Sequence, residues 1–107
     1  MRTFADSREL WFWWIDVDRL IRAGARPDSR GNRACTHADV LLMLDRLHRK
    51  GRLTARHVAV LVRYGREGRE PDDDHPAERA HAELWRQALA EIEIEAVHRR
   101  VVERVRL

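Results

Sequence analysis

The sequence has little cysteine, almost no lysine and no long apolar run, and each of these absences limits what the protein can be. Its 107 residues contain a single cysteine, Cys35, so no disulfide can form within the chain. The longest uncharged apolar run, Leu10 to Ile15, is far shorter than the roughly 18 apolar residues of a membrane-spanning helix. Residues 1–9 lack the basic segment and small-residue cleavage site of a secretory leader. We therefore expect a cytosolic protein that contacts no membrane and depends on core packing for its stability.

Motifs that carry catalytic or metal chemistry are also missing. The six histidines form no H-E-x-x-H pattern and no C-x-x-C pair accompanies Cys35, so we expect no metal site. Gly65 and Gly68 lack the following lysine and hydroxyl residue that complete a phosphate-cradling loop. Asp72 to Asp74 lack the alternating acids and final glutamate of a calcium-binding loop. These absences predict a protein that is not an enzyme and has no cofactor.

Arginine is abundant, and it is unevenly placed. Of the 21 basic residues, 20 are arginine and the other is Lys50. Residues 1–18 carry two basic and four acidic side chains, residues 19–69 carry thirteen and four, and residues 70–107 carry six and ten. The chain as a whole is only +3, and no acid occurs between positions 46 and 66. A local excess of this kind creates a positive field that attracts polyanions.

Capping residues and apolar spacing predict an all-α domain of four, or at most five, helices. Asp6, Thr36 and Thr54 are each followed by apolar residues at helical spacing, and Pro76 suits the first turn of a further helix. The alternating Glu91 to Glu95 segment resembles a strand, but we favour helix because a lone strand would have no partner. We expect the helices at about 7–23, 37–50, 54–64 and 76–105, in a single domain spanning residues 1–107.

The second and third predicted helices are joined by a short turn at Gly51, as in helix-turn-helix DNA-binding modules. Cations follow both helices at spacings that place them on outer faces. We expect them to share one surface that binds duplex DNA by releasing counterions, with Thr36–Tyr64 as the binding unit. The predicted nucleic-acid-binding residues are Arg46, Arg49, Lys50, Arg52, Arg56, Arg63 and Arg66. An ordinary solvated face in an arginine-rich protein is the alternative interpretation.

Two segments carry a partial resemblance to a known family. The residues from Leu53 to Gly65 (LTARHVAVLVRYG) resemble the helix that opens the promoter-binding domain of sigma factors and related phage-type helix-turn-helix regulators. The residues from Leu84 to Leu89 (LWRQAL) are similar to the end of the recognition helix in that family. The resemblance implies transcriptional control, with Arg79 or Arg86 near DNA. The sequence therefore predicts a small DNA-binding transcriptional regulator.

Apolar side chains surround most of the circumference of the first predicted helix. Core filling accounts for most of its tryptophans, but such a wide apolar surface also predicts contact with a partner, for which a homodimer is the simplest case. The predicted interface residues are Trp11, Phe12, Trp14, Ile15, Val97, Val101 and Val105. The alternative function is a protein-interaction module, an adaptor or inhibitor whose Trp-rich helix docks in a partner's groove while its arginine face meets an acidic protein.

Overall fold

Four α-helices form the structure, a computed structural model that describes residues 3–24 and 35–102. They are α1 (Ser7–Arg22), α2 (His37–Arg49), α3 (Ala55–Glu67) and α4 (Arg79–His98), which confirms the predicted all-helical class. Helices α1 and α4 each pack against the three others, whereas α2 and α3 hardly touch each other. The short turn at Gly51 is thus present, but the helices that it joins pack on the α1 and α4 pair. No helix in the described ranges is both long and apolar enough to cross a membrane.

Three helices begin at the predicted caps. The Asp6 carboxylate accepts from the Glu9 N–H at 2.8 Å. Thr36 and Thr54 each form a reciprocal capping box with the residue three positions on. Helix α4 begins at Arg79 instead of the predicted position 76, because the residues after Pro76 form a turn and Glu78 precedes the first helical residue without a side-chain cap.

Each of the four described helices is followed, within two residues of its end, by a residue with positive φ, which is Gly24 with φ +101° after α1. Gly51 follows α2 with φ +75° and Gly68 follows α3 with φ +72°, so α3 extends three residues beyond its predicted end at Tyr64. Arg100 takes the same role after α4 with φ 61°. The predicted continuation of the last helix to position 105 is therefore wrong.

The chain after α4 returns to the N-terminus. The Val101 N–H bonds the Ala96 carbonyl at 2.9 Å, and the Val101 carbonyl accepts from the Phe4 N–H at 2.9 Å. Val102 then forms a parallel bridge with Phe4. Val105 lies outside the described residues.

Two of the three tryptophans of α1, Trp11 and Trp14, are buried in the core, and Trp13 is half-buried against it. Trp11 and Trp14 stack at 5.1 Å between ring centroids, and the Trp11 Nε1–H donates to the Leu61 carbonyl at 2.8 Å. Because α1 contacts all three other helices, its apolar circumference is covered from within. This corrects the predicted interface: Trp11, Trp14, Ile15 and Val101 are buried. Phe12 and Val97 are half-buried and pack against the same core.

Candidate nucleic-acid interface

The turn between α2 and α3 is anchored by one leucine and presents its cations outward. Leu53 is buried, and its N–H lies 3.3 Å from the Leu47 carbonyl. The Arg52 N–H bonds the same carbonyl at 2.9 Å. Lys50, Gly51 and Arg52 are exposed. The turn therefore holds two cationic side chains at the start of α3.

Helix α3 exposes a strip of four residues, which we call the α3 strip. Its members, separated by three, four and three positions, are Arg56, Ala59, Arg63 and Arg66. This spacing places them on one side of the helix, opposite the buried Leu61 and Tyr64. At 1.5 Å per residue the strip is about 15 Å long. It presents three guanidinium groups around one small side chain.

Among the described residues, one acid forms an ion pair with the α3 strip. Arg63 lies 3.5 Å from the carboxylate of Glu67, one turn further along the helix. Within residues 3–24 and 35–102, Arg56 and Arg66 form no ion pair. The α3 strip therefore keeps most of its positive charge.

Three of the four remaining predicted cations lie near acids, and two of these acids belong to another helix. Arg46 pairs with Glu95 of α4 at 3.1 Å, and Arg52 lies 3.9 Å from Glu91 of the same helix. Arg49 pairs at 2.9 Å with an acid of its own helix, Asp45. Two of the seven predicted cations, Arg46 and Arg52, therefore lie beside carboxylates of α4. The seven cations divide into a partly neutralised group around the turn and the α3 strip.

The far end of α3 adjoins two arginines that sequence reasoning missed. The Arg19 Nη2 donates to the Arg66 carbonyl at 3.0 Å. Arg66 also lines a cleft together with four residues of α1, which are Ile15, Asp18, Arg19 and Arg22. The last turn of α1 is basic, which was visible in the sequence, but its position beside α3 depends on helix packing. The α3 strip thus continues into basic side chains of α1.

Asp18 links this end of α1 to the start of α2. Its carboxylate accepts from Arg22 Nε at 2.8 Å and lies 2.9 Å from His37 Nε2. Burial raises the pKa of Asp18, but the hydrogen bonds from Arg22 and His37 outweigh that effect and lower the pKa. Trp14 stacks on the His37 ring with centroids 4.9 Å apart. The contact between Asp18 and His37 therefore joins α2 to α1, and the ion pair with Asp18 partly neutralises Arg22.

The guanidinium group of Arg63, a member of the α3 strip, packs against the ring of Tyr64. The guanidinium groups of Arg63 and Arg69 lie 5.2 and 5.1 Å from the centroid of that ring. The Tyr64 hydroxyl lies 2.8 Å from His81 Nδ1, and burial raises the pKa of that hydroxyl. The cation–π contact and Glu67 together restrict where the Arg63 side chain can lie.

The arginines implied by the family resemblance lie among acids. Arg86 pairs with Asp73 and Glu83, both at 2.7 Å. Arg79 is exposed, and its Nε donates to the Asp73 carbonyl at 3.4 Å. No three His, Cys, Asp or Glu residues of the described ranges are grouped so as to hold a metal ion. The strongest excess of positive charge therefore lies on α3 and the preceding turn.

Comparisons of the chain with protein-family models, with curated proteins and with solved structures gave no match. Its function is therefore inferred from the geometry and charge of its own residues.

Proposed function

We propose that this protein binds duplex DNA through the α3 strip and acts as a transcriptional regulator. The observation that carries the proposal is the run of Arg56, Ala59, Arg63 and Arg66 on one exposed side of α3, where Glu67 is the one acid among the described residues that pairs with the strip. A duplex carries dense negative charge, so arginines that contact phosphates gain affinity by releasing counterions. Guanidinium groups can also bond the O6 and N7 atoms of guanine in the major groove.

The shape of the α3 strip supports the same proposal. The major groove is about 12 Å wide and admits one α-helix. Ala59 lies between the arginines, and its small side chain lets the helix backbone approach the base edges. Lys50 and Arg52, at the start of α3, are placed to contact the flanking phosphates. Because α2 and α3 hardly touch each other, the proposed contact relies on α3 and the turn rather than on a compact helix-turn-helix unit.

The surfaces of α4 and α1 are less suited to binding a partner than the α3 strip is. On α4, Arg86 is paired with the carboxylates of Asp73 and Glu83, so a phosphate would have to displace an existing partner. Docking through α1, as in the alternative of an interaction module, would require Trp11 and Trp14, which lie in the core. We therefore assign nucleic-acid binding to α3.

The test is a fluorescence-anisotropy titration of a labelled duplex at several salt concentrations. The variant Arg56→Ala/Arg63→Ala removes two charges from the α3 strip. The control Arg86→Ala/Arg99→Ala removes the same charge from positions paired with acids. Each phosphate contact contributes about 0.9 to the slope of log affinity against log salt, so the α3 variant should lower that slope by roughly 2. The control should leave the slope close to that of the wild type.

Two results would contradict the proposal. One is a wild-type protein that does not bind the duplex even at low salt. The other is an equal loss of affinity in both double variants, which would show a response to net charge alone. Thermal melts of all three proteins belong to the experiment, because the arginines of the α3 strip are exposed and their removal should leave stability nearly unchanged. A parallel titration with heparin measures attraction to a polyanion that has no grooves.

A further inference from the structure

The last turns of α1 and α3 enclose a cleft in which cations outnumber acids. Its volume is about 250 Å³, and the described residues that line it are Ile15, Asp18, Arg19, Arg22 and Arg66. The lining therefore includes three arginines and one acid. Arginines placed together without matching acids repel one another, and an anion bound between them removes that repulsion.

Arg19 is held beside the cleft by a bond that uses only one of its donors. Its Nη2 donates to the Arg66 carbonyl at 3.0 Å, which anchors the guanidinium group and balances the partial negative charge at the end of α3. The other N–H groups of the guanidinium point elsewhere and stay available. Asp16 lies 4.0 Å from Arg19 Nη1, and both side chains are more than half exposed, so this ion pair is weak and a phosphate can displace it.

Arg66 brings a second guanidinium group to the cleft, and the acid of the cleft does not neutralise it. Within residues 3–24 and 35–102, the side chain of Arg66 forms no ion pair and no hydrogen bond. The Asp18 carboxylate is already shared between Arg22 and His37. The negative charge of Asp18 therefore serves Arg22 and α2, and Arg19 and Arg66 keep most of their positive charge.

We propose that this cleft binds a phosphate group, with N–H groups of Arg19 and Arg66 donating to the phosphate oxygens. Guanidinium groups suit phosphate because their planar N–H groups match its oxygens in pairs, and one phosphate has enough oxygens for two arginines. Two sources share this chemistry, the backbone of a duplex that lies along the α3 strip and a free phosphorylated molecule. The site itself does not depend on the function proposed above.

The test begins with an NMR titration of the ¹⁵N-labelled protein with inorganic phosphate at constant ionic strength. The Nε–H signals of Arg19 and Arg66 should shift and saturate. Arg19→Gln and Arg66→Gln should each weaken phosphate binding about tenfold, because a hydrogen bond to a charged group is lost. Arg86→Gln is the matched control, since Arg86 is exposed and paired with two acids, and it should bind phosphate like the wild type. Circular dichroism checks that each variant is folded.

A second titration, with a labelled duplex at several salt concentrations, identifies the source of the phosphate. If the backbone of the duplex occupies the cleft, Arg19→Gln should lower the slope of log affinity against log salt by about 0.9, and Arg86→Gln should not. An unchanged slope in Arg19→Gln, with inorganic phosphate bound by the wild type, supports the site and assigns it to a free phosphorylated molecule.

Two results would overturn the phosphate site. One is the absence of a saturable shift at Arg19 and Arg66 in the wild type. The other is an equal loss of phosphate affinity in Arg86→Gln, which would show a response to net charge alone. Arg56→Ala/Arg63→Ala changes no described residue that lines the cleft and should bind inorganic phosphate like the wild type. Failure of the cleft and failure of the α3 strip are therefore distinguishable.

Discussion

At the scale of single residues, Gly65 shows how packing overrides a local signal. The sequence predicted the end of α3 at this position, because glycine often follows the last turn of a helix. The structure instead places Gly65 inside α3, where the helix meets α1. A Cβ on Gly65 would lie 2.7 Å from Ile15 Cγ1 and 2.8 Å from Trp11 Nε1. Only a residue without a side chain allows the two helices to approach this closely.

Gly65→Ala should therefore destabilise the protein. Overpacking a filled core costs about 1–3 kcal/mol, which exceeds the gain of up to about 1 kcal/mol from the better helix propensity of alanine. Urea unfolding measures the difference. Ala59→Gly, at an exposed position of the same helix, shows the propensity effect alone and should lower stability by about 1 kcal/mol. A more stable Gly65→Ala protein would mean that Trp11 and Ile15 move aside freely.

Glu78 should make stability depend on pH in the acid range. Hydrogen bonds from Arg69 and from the Asp72 N–H lower the pKa of Glu78 to about 2, from an ordinary value of 4.5. The stabilisation is complete above the ordinary pKa and is lost as pH falls through the lowered one. We therefore expect the free energy of unfolding to fall between about pH 4.5 and pH 2, with a smaller fall in Glu78→Gln.

Urea unfolding at a series of pH values measures this dependence. Asp74→Asn, in the same loop, serves as the control, because no hydrogen bond or ion pair to the Asp74 carboxylate is seen in the described ranges. It should follow the wild-type curve. Identical curves for Glu78→Gln and the wild type would contradict the role given to the Arg69 pair.

At the scale of helices, three of the four starts were readable from the sequence, whereas the ends of α3 and α4 were not. Thr36 and Thr54 are local signals, since each cap bonds a residue three positions away. Gly51 likewise marks the end of α2. The end of α4 is hidden because Arg100 occupies the left-handed position that glycine usually takes. Arginine adopts this conformation because the residues that follow it are held in place: Val101 and Val102 are buried, and the Phe4 N–H donates to the Val101 carbonyl.

Arg100→Gly should stabilise the protein. A residue with a Cβ pays about 1–2 kcal/mol in the left-handed region, and glycine does not. The gain should be about 1 kcal/mol, reduced by the greater freedom of glycine in the unfolded chain. Arg100→Val should lower stability, because a β-branched residue fits this conformation worse. Thermal or urea unfolding ranks the three proteins, and the reverse order would show that α4 does not end at this turn.

At the scale of the whole molecule, the all-helical class followed from the sequence, but the placement of surfaces did not. The periodicity of apolar residues is local information and identified four helices. The pairing of Arg46 and Arg52 with α4 depends on how α2 packs, which no local pattern encodes. The burial of Trp11 and Trp14 likewise follows from the central position of α1. The sequence therefore predicted the charge of the candidate site and the helix that carries it, but not which of the cations belong to it.

The most direct test of the central claim is an NMR titration of the ¹⁵N-labelled protein with a short duplex. If the α3 strip binds DNA, the largest amide shifts will fall between Lys50 and Arg66, and α4 between Glu83 and Glu95 will change little. Large shifts on α4 or on the exposed leucines of α2, with α3 unmoved, would contradict the account, as would a spectrum that the duplex leaves unchanged.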